Sequence, residues 1–204
     1  MNPILPAHIQ GGLVLASASP RRAQILEMLG FEFEIVPTRV EDEHAGAGAP
    51  AEHVCELARL KAQAAAAGRR RGTTIGADTI VAVDGEILGK PDSGAHGLDM
   101  LRRLRGRWHT VHTGIALRDI PSGRLVDGVE STEVHFHDWA DEFLRRYVQT
   151  GECADKAGSY AIQGLGAMLV REIRGCYYNV MGFPVGRFVT LLRRLHPSED
   201  ERAG

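Results

Sequence analysis

Thr74-Ile75-Gly76-Ala77-Asp78-Thr79-Ile80-Val81-Ala82-Val83 is followed by Asp84-Gly85 and then by Glu86-Ile87-Leu88-Gly89-Lys90-Pro91. The run 74–83 is rich in β-branched and small apolar residues, which predicts a strand buried along much of its length. Asp84-Gly85 supplies the turn of a tight hairpin, and residues 86–88 form the return strand. Asp78 sits in the middle of the apolar strand. A carboxylate there is costly unless it is paired, hydrogen-bonded or bound to a metal. Asp78 and Lys90, at the end of the hairpin partner, can face one another. On this stretch alone, a structural pair and a functional pair explain the two residues equally well.

The chain has 204 residues, enough for one large domain or two small lobes, and is 44% hydrophobic, enough to bury a core. Its formal net charge of -2 gives no strong field towards nucleic acid or a membrane surface. Twenty-four glycines exceed the usual share of roughly 7% and point to tight turns or close backbone approach to a ligand. Cys55, Cys153 and Cys176 are an odd count without CxxC spacing, read as reduced thiols of a cytoplasmic protein. Residues 1–12 read as a loose leader ending in Gly11-Gly12, without the basic and apolar regions of a signal peptide. No apolar run reaches the roughly 20 residues of a membrane span.

Upstream of the hairpin, residues 13–16 predict a short strand. Ser17-Ala18-Ser19-Pro20-Arg21-Arg22 follows and opens a helix over 20–29. Ser19 is a suitable N-cap, Pro20 suits the first helical position, and Gly30 ends the helix. Arginines in a first turn oppose the helix dipole, so an anion is the better partner for Arg21 and Arg22 than solvent. A second strand is expected over 31–36. Glu41, Asp42 and Glu43 then cluster in a loop, either solvated or supplying oxygen ligands for Mg²⁺. A helix is expected over 51–67, where Lys61 continues the apolar stripe of Val54, Leu57 and Ala58. Such a lysine snorkels to water or reaches a site at the core edge.

Downstream, helices are predicted over 92–104 and from an Asp138 cap to Gly151, with strands over 108–117 and 125–136. His109 and His112 fall on opposite faces of a strand, and His135 and His137 read as surface histidines. Asp155-Lys156-Ala157-Gly158-Ser159-Tyr160-Ala161-Ile162-Gln163-Gly164-Leu165-Gly166 is a polar, glycine-studded loop before an expected strand over 167–173. The planar amide of Gln163 offers a donor and an acceptor, as a base edge requires, or braces the loop. A last helix is expected from Pro184 to Leu195, and residues 197–204 read as a disordered tail.

Ser17-Ala18-Ser19-Pro20-Arg21-Arg22, Gly76-Ala77-Asp78-Thr79, Gly89-Lys90-Pro91, the 155–164 loop and Tyr177-Tyr178-Asn179-Val180 together resemble the Maf family of nucleoside triphosphate pyrophosphatases. The motifs stand in the family's order over about residues 13–195. The resemblance implies an α/β fold with a long mixed sheet flanked by helices and two lobes around a cleft, related to the inosine-triphosphate pyrophosphatase fold. It implies one such domain over 13–196 and a homodimer. The loop 156–164 is similar to that of the dTTP/UTP branch, with Arg21, Thr79 and Gln163 as specificity positions. The family usually carries Asp-Glu or Glu-Glu where this chain has Glu41-Asp42, so either Asp42 or Glu43 takes the metal-binding role.

The implied reaction is hydrolysis of a nucleoside triphosphate to monophosphate and pyrophosphate by water attack on the α-phosphorus. Such chemistry asks mainly for positioning and charge stabilisation. Glu41, Asp42 and Asp78 would hold a divalent cation, Mg²⁺ or Mn²⁺, with Asp78 also the candidate base or water-orienting group. Lys61, Lys90, Arg21 and Arg22 would neutralise phosphate charge, and Ser17 and Ser19 would donate hydrogen bonds to it. The alternatives are a pyrophosphatase for purine or modified nucleotides and a nucleotide-binding regulator of cell division. The first turns on the Gln163 loop; the second would tolerate loss of the carboxylates, which this chain keeps.

Overall fold

The computed structural model describes residues 2–38, 40 and 49–197. Glu41, Asp42, Glu43 and the tail from residue 198 onwards lie outside the described residues. The central strand forms as β3, Thr73–Val83. Asp84 and Gly85 both take positive φ, 53° and 79°, the backbone of a type I′ turn whose twist matches its flanking strands. The return strand β4, Glu86–Leu88, pairs antiparallel with Val81–Val83.

The other strands are β1 (Leu13–Leu15), β2 (Phe33–Ile35), β5 (Trp108–Asp119), β6 (Leu125–Phe136) and β7 (Val170–Arg174). They form one seven-stranded sheet in the order β2-β1-β3-β5-β6-β7, with β4 also on β3. β2, β1 and β3 run parallel and the remaining pairings are antiparallel, so the sheet is mixed. Helices α1 (Pro20–Met28), α2 (Pro50–Ala66), α3 (Gly94–Leu104), α4 (Asp141–Gln149), α5 (Tyr177–Val180) and α6 (Val185–Leu195) flank it.

Two features of β3 place everything that follows. β5 pairs along it from Thr73 to Ala82, so β1 and β4 share the opposite edge. β1 covers residues 73–75 and β4 covers 81–83, and between them the edge at 76–80 has no strand partner among the described residues. The second feature is a close approach by α2. Alternation puts Thr74, Gly76 and Asp78 on one face of β3, with Ala116 and Gly114 beside them on β5. A Cβ on Gly76 would lie 2.0 Å from the Ala58 carbonyl oxygen, and one on Gly114 would lie 2.1 Å from that of Val54. The α2 backbone therefore rests directly on the sheet, and Thr74 Oγ1 donates to the Ala62 carbonyl at 2.8 Å.

On the other face two apolar clusters share the sheet. One gathers Leu13, Leu15, Ile75, Ile115 and Leu117 with α1 and α6; the other gathers Val81, Val83, Val111 and Phe136 with α3 and α4. Thr79 and Thr113 stand opposite one another between them.

Several expectations are corrected. The leader is tied down: Ile9 and Gln10 are buried, the Asn2 amide donates to the Leu29 carbonyl, and the Gln10 amide donates to those of Asn2 and Leu5. Asp138 does not cap α4, which begins after Ala140; Asp138 faces the Arg105 guanidinium at 3.6 Å instead. The strand expected over 167–173 begins only at Val170, because residues Gly164–Leu169 form 3-10 turns in which Gly164 takes φ 65° and the chain wraps a carboxylate described below. His135 is half-buried against the Trp108 ring at 4.9 Å and is not a surface residue.

Gly76→Ala and Gly114→Ala should each destabilise the protein by roughly 1–3 kcal/mol or more, the range of an overpacked core. The added methyl meets helix backbone rather than a movable side chain. Urea unfolding checks this: a midpoint unchanged in both variants would mean that α2 stands off the sheet.

Candidate active site

A cleft of about 440 Å³ opens at the uncovered stretch of β3, within the size range of small-molecule sites. The turn from β1 into α1 forms one wall, the end of β4 a second, and the segments 155–160 and 180–182 the rest. Ser17, Ser19, Arg21, Arg22, Lys61, Asp78, Thr79 and Lys90 all line it. Residues widely spaced in the chain meet because β1 and β4 reach the same edge from opposite ends.

Asp78 pairs with Lys61, whose Nζ donates to Oδ1 at 2.5 Å. This corrects the expected Asp78–Lys90 pair. Asp78 points to the α2 face of the sheet, and Lys61 stands one turn beyond Ala58, where that helix touches Gly76. Both side chains keep about a fifth of their surface exposed, 17% and 20%, so the pair sits at the cleft floor and not in the core. Oδ2 of Asp78 has no hydrogen-bond partner among the described residues. Lys90 is exposed at the cleft rim.

Arg22 lines the cleft but is held by protein groups rather than standing free in it. It is 9% exposed and donates through Nε to the Gly182 carbonyl at 2.9 Å, through Nη1 to Ser17 Oγ at 2.9 Å and through Nη2 to Thr79 Oγ1 at 3.1 Å. Burial lowers its affinity for its proton; the Asp78 carboxylate opposes that shift and Arg21 adds to it. Arginine remains a cation through such shifts. Ser17 Oγ also accepts from the Ser19 N–H at 3.2 Å, so its lone pairs are engaged and its O–H is free to donate. Ser19 occupies the N-cap position of α1 without a side-chain capping bond. Arg21, half-buried, lies at the cleft wall.

The 155–160 segment reaches the cleft because Gly158 N–H donates to the Gly89 carbonyl at 3.0 Å, tying the loop to the end of β4. It contributes Lys156, whose Nζ bonds Asp155 Oδ1 and the Glu152 carbonyl; this bond holds Asp155 below the usual carboxylate range. It also contributes Tyr160, buried with its hydroxyl 2.9 Å from His109 Nε2. Burial raises the Tyr160 pKa and lowers that of His109 to about 3. Val81, Val111, Val180 and Met181 give the cleft an apolar side.

Gln163 is the predicted residue that the cleft does not include. It is exposed at the start of the 3-10 turn, outside the lining. The turn itself is braced by Glu152, whose carboxylate accepts from the Leu165 and Gly166 N–H groups at 2.9 and 2.8 Å. Sequence reading missed Lys156 as a cleft residue, though it stands in the 155–164 motif, and missed Glu152 and Thr113, which carry no local signal.

The geometry separates the two neighbouring arginines. Arg22→Ala should cost about 1.5–3 kcal/mol of stability, the worth of hydrogen bonds to a charged group, and remove a donor from Ser17, Thr79 and the Gly182 carbonyl. Arg21→Ala should stay within about 0.5 kcal/mol of the parent. Equal denaturation midpoints for the two variants would contradict the structural role of Arg22.

The sequence model of one family, described as Maf-like protein, matches residues 12–195. A dTTP/UTP pyrophosphatase of Dictyoglomus thermophilum is 44% identical over 184 residues, 90% of this chain and 95% of the relative. Those of Caldanaerobacter subterraneus subsp. tengcongensis and Thermococcus gammatolerans are 45% and 47% identical, over 89% and 85% of this chain and 88% and 91% of their own lengths. A match of this extent, on a seven-stranded mixed sheet whose cleft gathers the motifs at 17–22, 76–79 and 89–91, shows that the chain belongs to the Maf family.

Proposed function

We propose that the protein hydrolyses dTTP and UTP to the monophosphate and pyrophosphate. The observation that carries this reading is the cleft's charge: Arg21, Arg22, Lys61, Lys90 and Lys156 line it against two carboxylates, Asp78 and Asp155. A half-buried site of that composition suits a polyanion. The names of its relatives support the choice of pyrimidine triphosphates. The cysteine usage suits the cytoplasm and the resemblance carries a homodimer; no helix among the described residues is long and apolar enough to cross a membrane.

Within this reading, Arg21, Lys90 and the start of α1 bind the phosphates, and Ser17 donates its free O–H to a phosphate oxygen. Arg22, locked by its three hydrogen bonds, presents its charge without the entropy loss of an exposed arginine. Asp78 accepts a proton from, or orients, the water that attacks the α-phosphorus, and Lys61 fixes the carboxylate through Oδ1. Lys61 and Arg22 flank the position where negative charge grows.

A divalent cation fits the donors present. Asp78 lines the cleft with a hard carboxylate donor, and Mg²⁺ asks for only one or two carboxylates beside substrate phosphates. Asp78 would hold Mg²⁺ or Mn²⁺ together with Glu41 and with Asp42 or Glu43 from the segment outside the described residues. Among the described residues no three His, Cys, Asp or Glu side chains gather into a metal site. When bound, the cation supplies charge neutralisation and Lewis-acid polarisation of the phosphate oxygens.

Pyrophosphate release from a nucleoside triphosphate panel, with Mg²⁺, with Mn²⁺ and with chelator, tests the reading. Asp78→Asn should lower kcat by about 10²–10⁴ with the urea midpoint retained. Full turnover by folded Asp78→Asn protein would remove Asp78 from the chemistry. Gln163 is assigned to the base, its amide being able to pair with the O4 and N3–H edge of uracil or thymine. Gln163→Ala should then narrow the UTP-to-CTP ratio of kcat/KM by roughly one decade, the cost of an unpaired buried polar group. An unchanged ratio would leave Gln163 a loop residue only.

A further inference from the structure

The hydroxyl proton of Thr79 has one destination. Thr113 Oγ1 lies 3.1 Å from the Asn179 carbonyl oxygen, and a carbonyl only accepts, so Thr113 spends its single proton there. Thr113 and Thr79 Oγ1 atoms are 3.0 Å apart. With the Thr113 proton committed, Thr79 is the donor in that contact. Thr79 Oγ1 is left with lone pairs alone, and Arg22 Nη2 donates to one of them at 3.1 Å. Thr113 and Asn179 are both 0% exposed, so solvent does not compete for the Thr113 proton. The Asn179 side-chain amide anchors the far end, donating to the Val111 carbonyl and Thr132 Oγ1 at 3.0 Å each.

Thr79 lines the cleft with one lone pair unassigned. Gly182, at φ 98°, keeps it open: a Cβ there would lie 3.2 Å from Thr79 Oγ1 and 3.8 Å from Arg22 Nη2. We propose that Thr113 is a positioning residue for nucleotide recognition. It turns Thr79 into an acceptor-only point that takes an O–H or N–H donor of the nucleoside and has nothing to offer an ionised phosphate oxygen. This inference rests on the pyrophosphatase reading above and deepens it. UTP and dTTP share two such donors, the imide N3–H and the sugar 3′-OH. With N3–H assigned to Gln163, the 3′-OH is the donor expected at Thr79.

Steady-state pyrophosphate release from UTP, 3′-deoxy-UTP and N3-methyl-UTP tests this in the wild type and in Thr79→Val, Thr113→Val and Thr113→Ser. The wild type should show KM for 3′-deoxy-UTP raised roughly five- to tenfold, one neutral hydrogen bond, with kcat within about twofold. Thr79→Val should raise KM for UTP by the same factor and no longer distinguish 3′-deoxy-UTP from UTP, while still discriminating against N3-methyl-UTP. Loss of discrimination against N3-methyl-UTP instead would support the proposal with the imide as donor. Thr113→Val, which frees the Thr79 proton to turn into the cleft, should raise KM for UTP likewise, and Thr113→Ser should restore it. Thermal unfolding accompanies each variant, and the comparison of analogues in wild type and Thr79→Val decides the matter even where Thr113→Val does not fold. Equal KM for all three nucleotides in the wild type overturns the proposal. So does Thr79→Val protein that discriminates both analogues as the wild type does, or folded Thr113→Val protein with wild-type KM. Absence of UTP turnover in the wild type itself overturns the pyrophosphatase reading, a separate result.

Discussion

The contact on which the site depends is between backbone and backbone. α2 lies so close to β3 and β5 that only hydrogen fits at positions 76 and 114. Glycine within a strand costs roughly 0.5–1 kcal/mol relative to alanine, and here that cost is met by the small-residue seam of Ala58, Ala62 and Ala116 that the approach permits. The approach also sets a reach. Lys61 leaves the helix one turn past the Gly76 contact and meets Asp78, two residues further along β3, without leaving the sheet surface. Were α2 lifted by a side chain at either glycine, the lysine would retreat and a part-buried carboxylate would lose its cation. Packing at two glycines and charge placement at Asp78 are thus one constraint.

The opposite face shows how the fold keeps a polar site between two apolar cores. Leu15, Ile75 and Ile115 lie on one side of the Thr79–Thr113 pair and Val81 and Val111 on the other. Continuing either cluster through this point would cover the uncovered edge of β3. The threonines satisfy each other and the Asn179 carbonyl instead, and Arg22 closes the set on Thr79, Ser17 and the Gly182 carbonyl. A buried guanidinium is tolerable because its desolvation is offset by these three bonds and by the field of Asp78. The same network holds the segment 179–182 against the sheet, so the cleft wall and its charge are ordered together.

Much of this was legible in the sequence. The hairpin at Asp84-Gly85, the strand-to-helix turn at Ser19-Pro20 and the stripe that ends in Lys61 carry local signals in turn chemistry, helix punctuation and periodicity, and all three elements formed, although Ser19 makes no side-chain capping bond. What was not legible depends on partners distant in the chain. Lys90 and Lys61 both stand near Asp78 in the cleft, and only the register of α2 on the sheet decides that Lys61 is the one that pairs. Arg21 and Arg22 are equivalent as text. The fold turns one into the cleft wall and buries the other against Gly182, 160 residues away. The end of the turn at 164–169, residues 167–169, was read as strand because its apolar residues suited one. The carboxylate of Glu152, which collects two N–H groups there, leaves no trace in the spacing.

Charge pairing inside the cleft narrows what can occupy it. Asp78 is matched by Lys61 and Asp155 by Lys156. Arg22 bonds only neutral oxygens, and Arg21 and Lys90 make no ion pair among the described residues. Three cations therefore converge on one cleft in a protein whose net charge is -2. Two of them occupy the first turn of α1, where the helix dipole already repels positive charge. A neutral sugar or a monoanion would leave most of that charge unmatched in a site partly screened from water. An anion with charge spread over several oxygens meets the arginine forks, the lysine and the Ser17 hydroxyl at once. The phosphate chain of a nucleotide meets that demand.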